Sequence, residues 1–263
     1  MQSATRDAMP LDRKLWKAWI SEESIPNWPC SSCGAASLTL VKDSFRTAHD
    51  KSTSRNWSRS DFDPMDATGR FVCLLECSKP GCRETCAVSG NYFIDEDWDG
   101  NLNRVHYPTG RPNCIIPPPH LIRIPANCQG PIQQEILAAF GLYWQDHAAA
   151  LNRIRNAIES LLTEMGIKRH GKKTGGGRTK LTLDSRIQVL RAKKPSLSGL
   201  CDRLLAVKHL GNAGSHPGDV HIDDVFDGFD ILEQVLHDIY SDDASVLAKM
   251  VKQINQRKGP RKK

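Results

Sequence analysis

No stretch of the chain approaches the ~18 consecutive apolar residues that a membrane helix requires, so no transmembrane span is expected. Met1 to Arg13 lacks the apolar segment of a secretory signal, and a cytoplasmic protein is the expectation. Cysteine is nearly missing from the second half of the chain: eight of the nine precede residue 130, and Cys201 alone follows. A strong excess of one charge is missing too. Lys and Arg total 36 against 30 Asp and Glu, a net +6 that many soluble proteins carry. The nucleoside-triphosphate loop is also absent. Gly175-Gly176-Gly177 lies among lysines and arginines, but the order Gly, four residues, Gly-Lys-Ser/Thr does not occur, and no strand pattern precedes it.

What is present divides the chain. A reducing cytoplasm disfavours disulfides, so clustered cysteines point to metal. Cys30-Ser31-Ser32-Cys33-Gly34 forms one knuckle and Cys77-Ser78-Lys79-Pro80-Gly81-Cys82 a second. Zinc is borderline-soft and takes four ligands tetrahedrally, which suits four thiolates. Cys30, Cys33, Cys77 and Cys82 are therefore the expected ligands of a structural Zn2+, since four thiolates leave no position open for substrate. Cys73 and Cys86 compete, but each falls within a strand pattern and reads as a buried small hydrophobe. Apolar runs at Leu38 to Val41, Phe71 to Leu75 and Thr85 to Ile94 read as strands around the knuckles.

Leu11 to Ser24 carries Leu15, Trp16, Trp19 and Ile20, a short helix with one apolar face. Ser44 to Arg70 reads as a long polar loop or extended hairpin. There Arg46, Arg55, Arg59 and Arg70 alternate with Phe45, Trp57 and Phe62, residue types that stack on bases and contact phosphate, although a solvated loop is the simpler reading. Tyr107 to Pro131 holds seven prolines and no helical period, and reads as a linker.

Beyond the linker the period becomes helical. Ile132, Ile136, Phe140 and Tyr143 form one stripe, and Leu151, Ile154, Ile158, Leu161 and Met165 form the strongest one in the chain. Arg155 and Glu159 flank that second stripe four residues apart. On an open surface such a pair is worth only ~0.3–0.5 kcal/mol, but beside the stripe it can reach a neighbouring helix. From Lys168 to Lys194 there are ten Lys or Arg and one acid, Asp184. Its centre, Gly171 to Lys180, reads as a basic loop in which Lys172, Lys173, Arg178 and Lys180 are candidate phosphate contacts. Thr182 or Asp184 opens a further helix with Ile187 and Leu190 inward. Leu197, Leu200, Leu204 and Val207 mark the next, which ends at Gly211-Asn212-Ala213-Gly214-Ser215-His216-Pro217-Gly218. That corner is dense in residues that turn a chain, and His216 titrates near neutral pH. Ile222 to Ile239 forms the last long helix, and a weaker one follows through Leu247 and Val251.

Two motifs together, Leu151-Asn152-Arg153-Ile154-Arg155-Asn156-Ala157-Ile158-Glu159 and Gly211 to His216, preceded by the cysteine knuckles, make the chain resemble a prokaryotic domain-of-unknown-function family of the HEPN superfamily. The resemblance implies an antiparallel helical bundle that often dimerises. It also implies metal-independent RNase activity in anti-phage defence or toxin–antitoxin systems, through Arg, four to six residues, then His. In such chemistry a His moves the proton of a ribose hydroxyl while a fixed cation holds the phosphate charge. This chain departs from the motif: positions 209, 210 and 211 are His209, Leu210 and Gly211, and the nearest cation is Lys208. Arg155 is the candidate replacement, with Glu159, Asn212, Lys208 and His216 completing the centre. The competing reading is a hydrogen-bonded brace between helices.

The expectation is thus an α+β chain. A small β zinc ribbon with an N-terminal helix occupies residues 1–106 and a proline-rich linker 107–130. An all-α HEPN-like bundle fills 131–240, followed by a C-terminal helix and basic tail over 241–263. Three functions compete: a protein that binds or cleaves RNA or DNA, a non-catalytic module that dimerises or binds a defence-system partner, and a nucleotide-binding helical domain, which rests on the superfamily resemblance alone.

Overall fold

The computed structural model describes residues 10–98, 104–172, 176–213, 220–241, 251–253 and 255–256. The architecture is mixed α+β: a curled antiparallel sheet comes first and the long helices follow it.

A short helix α1 (Arg13–Lys17) opens the chain, with the Asp12 side chain accepting from the Lys14 and Leu15 amides. Strands β1 (Leu38–Leu40), β2 (Arg46–His49), β3 (Thr68–Cys77), β4 (Thr85–Trp98) and β5 (Arg104–Ile116) form the sheet in the order β1-β3-β4-β5, with β2 also pairing β3. Along β3 exposure alternates residue by residue, which puts Phe71, Cys73, Leu75 and Cys77 on the buried face and Val72 and Leu74 on the outer one. The register between β4 and β5 slips at Ser89/Gly90. A Cβ at Gly90 would lie 2.1 Å from the Arg111 carbonyl oxygen, so no other residue fits without moving the strand.

The segment expected as a linker begins as a strand. Residues 104–116 pair with β4 from Arg104↔Trp98 to Ile116↔Ala87. Pro108 and Pro112 hid it, because Pro interrupts a strand pattern in sequence. On an edge strand such as β5 the missing N–H is tolerated. The stretch expected as a polar loop also contains structure: β2 and a helix α2 (Lys51–Asn56) capped by Asp50.

Helices α3 (Pro131–Tyr143) and α4 (His147–Glu164) come next. The stripe of α4 is buried as its spacing requires, through Leu151, Ile154, Ile158 and Leu161, with Met165 only partly covered. The basic stretch folds into a hairpin, β6 (His170–Lys172) against β7 (Arg178–Lys180), where a loop was expected. Gly176 and Gly177, both at positive φ, form the described part of its turn, and the Leu181 amide donates to the Arg169 carbonyl at its base. Strands of three residues are too short to declare a period. Helices α5 (Leu183–Lys193), α6 (Ser198–Ala213) and α7 (Ile222–Tyr240) complete the fold, and Thr182 caps α5 through the Ser185 amide. The stretch through Leu247 lies outside the described residues.

One buried cluster runs through both halves, from Trp16, Trp28 and Phe71 to Phe140, Tyr143, Phe226 and Phe229. Trp144 sits at the junction, 5.1 Å from Trp28 and 4.9 Å from Tyr143 ring to ring, and the Tyr143 hydroxyl donates to the Trp16 carbonyl at 2.9 Å. The N-terminal segment is strapped to α7. Asp230 accepts from the Leu11 amide at 2.8 Å, and Asp223 pairs with Lys17 at 2.7 Å and Arg13 at 3.3 Å. No helix of the described residues is long and apolar enough to cross a membrane.

Candidate metal centre and its surroundings

The first knuckle is held between a bridge and a turn. Pro29 pairs with Ser37, the Gly34 amide donates to the Cys30 carbonyl at 2.9 Å, and Gly34 takes the positive φ that the turn demands. The second knuckle joins the end of β3 to the start of β4, with the Cys82 amide on the Lys79 carbonyl at 2.9 Å. Strand pairing brings the two together. Leu38 stands opposite Cys77, and the Ser78 amide donates to the Ser37 carbonyl at 3.0 Å.

The result is a single cluster of four sulfurs. Cys30 and Cys82 approach to 3.7 Å, Cys33 and Cys77 to 3.7 Å, and all four ligand atoms lie within 4.8 Å of one another. A tetrahedron with metal–sulfur bonds of ~2.3 Å has edges of ~3.8 Å, so the donor set fits a four-coordinate thiolate site. The Ala35 amide holds the Cys33 thiol down to about 7, while, against their own amide donors, burial and the neighbouring Cys30 push Cys77 up to about 12 and Cys82 upward. Cys73 and Cys86 stand outside the cluster. Burial pushes them up to about 12 and about 11, leaving both as neutral core thiols.

Of the residues expected to form a catalytic corner, Arg155, Glu159 and Lys208 are each in described ion pairs. Gly211 lies in the last turn of α6 and faces α4, where a Cβ on it would sit 3.0 Å from Arg155 Cβ. The expected approach of the two helices is therefore present. Arg155 pairs with Glu159 at 3.8 Å, and Glu159 also receives Arg186 at 3.9 Å. Arg186 is the residue that sequence reasoning missed. Its side chain is 1% exposed and its guanidinium donates to the Glu159 carbonyl (2.9 Å), Thr163 Oγ1 (2.8 Å) and the Ile167 carbonyl (3.0 Å). It lies among Leu183, Ile187 and Leu190 on the inward stripe of α5, a position that marks it off from the surrounding basic run. Lys208 is held by Asp184 at 2.8 Å, and Asn212 is exposed. His216, with the rest of 214–219, lies outside the described residues.

In the basic hairpin Lys168, Arg169, Lys172, Arg178 and Lys180 are all exposed, and none has a carboxylate partner among the described residues. Lys173 lies outside the described residues, as does the basic tail from Arg257. The interleaved arginines and aromatics before β3 do not act as one surface. Phe45 is buried and stacked on Phe71 at 5.4 Å, and Arg59 is held by Asp61 at 2.8 Å. Trp57 remains half exposed against His49 and Phe62.

Residues 18–108 match a family described as Domain of unknown function (DUF8608), and residues 138–257 one described as Domain of unknown function (DUF4145). No curated protein and no solved structure matches the chain.

Proposed function

We propose that the chain is a zinc-braced, HEPN-like protein that binds RNA or DNA through its basic hairpin. The observation that carries this reading is the hairpin itself: five exposed cations on and beside two short strands, without an acidic partner among the described residues. Cations that are not neutralised within the fold are available to displace counterions from a phosphate backbone. Zinc at the Cys30, Cys33, Cys77 and Cys82 site is structural, because four thiolates complete its coordination. The protein works in the cytoplasm, as a dimer or with a partner of an anti-phage or toxin–antitoxin system.

The ion pairs of the α4–α5–α6 region favour binding over cleavage. Glu159 and Lys208 are engaged by Arg186 and Asp184, so they brace helices. One observation keeps an RNase centre as the second reading: Arg155 packs on the Gly211 turn, and its Nε has no partner among the described residues. Fluorescence anisotropy against labelled RNA and DNA over a salt series tests the first reading. Replacing Lys172, Arg178 and Lys180 with Gln should flatten the log–log salt slope by about 2 for a single strand, at ~0.7 per phosphate contact. No binding by the wild type at low salt refutes it. RNA cleavage by the wild type that is lost in His216→Ala establishes the second reading.

A further inference from the structure

A cleft of about 550 Å3 opens between the sheet and the α3–α4 junction, and it shares no residue with the cysteine cluster or the hairpin. Its volume is that of a small-molecule site. β3 contributes Arg70, β4 contributes Asn91, β5 contributes Arg111, and the helical side contributes Trp144 and His147; Trp19 forms one wall. Neither arginine has a carboxylate within ion-pair distance among the described residues. Arg70 donates to the Gly69 carbonyl at 3.0 Å, and Arg111 lies against the buried Tyr143 hydroxyl, which is itself fixed on the Trp16 carbonyl. Arg111 is therefore a positioned, half-buried cation without a counterion, next to a cavity. His147 beside it adds no second positive charge, since burial and then Arg111 lower its proton affinity.

The rest of the lining is aromatic and amide. Trp19 is 50% exposed and meets Phe93 edge to face at 4.9 Å, so its indole is held in place while remaining accessible. Trp144 is 7% exposed, and its indole N–H has no acceptor among the described residues. Asn91 offers both a donor and an acceptor. Two guanidiniums match a phosphate, a fixed indole matches a planar ring, and the amide matches the edge of a heterocycle.

We propose that this cleft binds a nucleoside monophosphate, with its phosphate on Arg111 and Arg70 and its base against Trp19. The ligand is either a free nucleotide or the 5′-phosphorylated end of a single strand, which present the same chemistry. The site shares no residue with the hairpin and does not depend on it.

Calorimetric titration of the full chain tests this with adenosine 5′-monophosphate, adenosine, inorganic phosphate and a 5′-phosphorylated oligoadenylate. The monophosphate should bind at least ten-fold more tightly than adenosine or phosphate alone. Trp19→Ala and Arg111→Gln should each weaken it at least five-fold. Arg70→Gln, at an exposed position that leaves the fold intact, should do the same and guards against misfolding of the Arg111 variant. Tighter binding of the oligoadenylate, with the same losses, identifies a strand end as the ligand; tighter binding of the monophosphate identifies the free nucleotide. Replacing Lys172, Arg178 and Lys180 with Gln should leave the monophosphate titration unchanged, so failure of the hairpin reading and failure of this one are separable. Absence of binding by both phosphorylated probes, or binding that Trp19→Ala and Arg70→Gln leave intact, overturns the proposal.

Discussion

Arg186→Met should destabilise the protein by about 2–4 kcal/mol. The side chain is 1% exposed and its guanidinium makes hydrogen bonds to two carbonyls and a hydroxyl at 2.8–3.0 Å. At ~1 kcal/mol net each, these bonds are worth ~3 kcal/mol, and leaving the Ile167 carbonyl without its charged donor adds ~1 kcal/mol or more. The Glu159 carbonyl is less exposed to loss, because Thr163 Oγ1 also donates to it at 2.9 Å. Against this, Met fills similar volume and removes the cost of burying a cation, which returns part of the sum. In a chain of this size each kcal/mol moves the melting temperature by ~2–4 °C, so the fall should be ~4–16 °C by calorimetry. Arg186→Lys should recover little, since an ammonium does not span three acceptors that a planar fork reaches together. Arg191→Met, at a half-exposed ion pair with Asp202, is the control and should cost less than ~1 kcal/mol. A loss below ~1 kcal/mol for Arg186→Met, or full rescue by Lys, would refute the bracing argument.

Cys82→Ser should strip the metal, whereas Cys86→Ser should retain one zinc per chain, as read by elemental analysis of purified protein. Gly90→Ala should abolish soluble folded protein, because its Cβ meets the Arg111 carbonyl at 2.1 Å and Phe71 at 2.7 Å; a near-wild-type circular dichroism melt would count against the close packing of β4 on β5. The strap onto α7 should weaken in acid. Lys17 holds the Asp223 carboxyl below its ordinary value, so its contribution is complete above ~4 and disappears as pH falls through the lower folded value. Acid titration of tryptophan fluorescence should show this step, and Lys17→Met should diminish it.

What could be read from the chain was whatever a local period or spacing encodes. The stripe of α4, the Thr182 cap and the alternation of β3 all follow from neighbours a few residues apart. The four-cysteine cluster was legible because each knuckle fixes its own pair, and one strand pairing, β1 on β3, brings the pairs together. Strand β5 was hidden because proline removes the pattern in sequence while an edge position tolerates it in space. Arg186 was absorbed into a basic run because its burial depends on the end of α4, some twenty residues away in the chain. The cleft was invisible for the same reason. Its residues come from the segment after α1, from three strands and from the α3–α4 junction, and no window of the sequence contains them together.

The separation of Arg70 from the cysteine cluster along the sheet limits what a metal held there can do. Arg70 and Cys77 are both on β3, seven residues apart, which at ~3.3 Å per residue places the Arg70 wall of the cleft roughly 23 Å from the thiolates along an extended strand. That is more than twice the ~8–10 Å over which exposed charges act at ordinary ionic strength. A metal at that distance does not polarise a phosphate held on Arg70. Its influence passes through the fold. The cysteine cluster ties β1 to the ends of β3 and β4, and the same β3–β4 ladder, six pairs beyond Glu76↔Thr85, sets Arg70 opposite Asn91 in the cleft wall. Metal loss is then felt in the cleft through this ladder and through Trp28, which packs on Trp144 at 5.1 Å, and the cleft and the sheet should lose their order together.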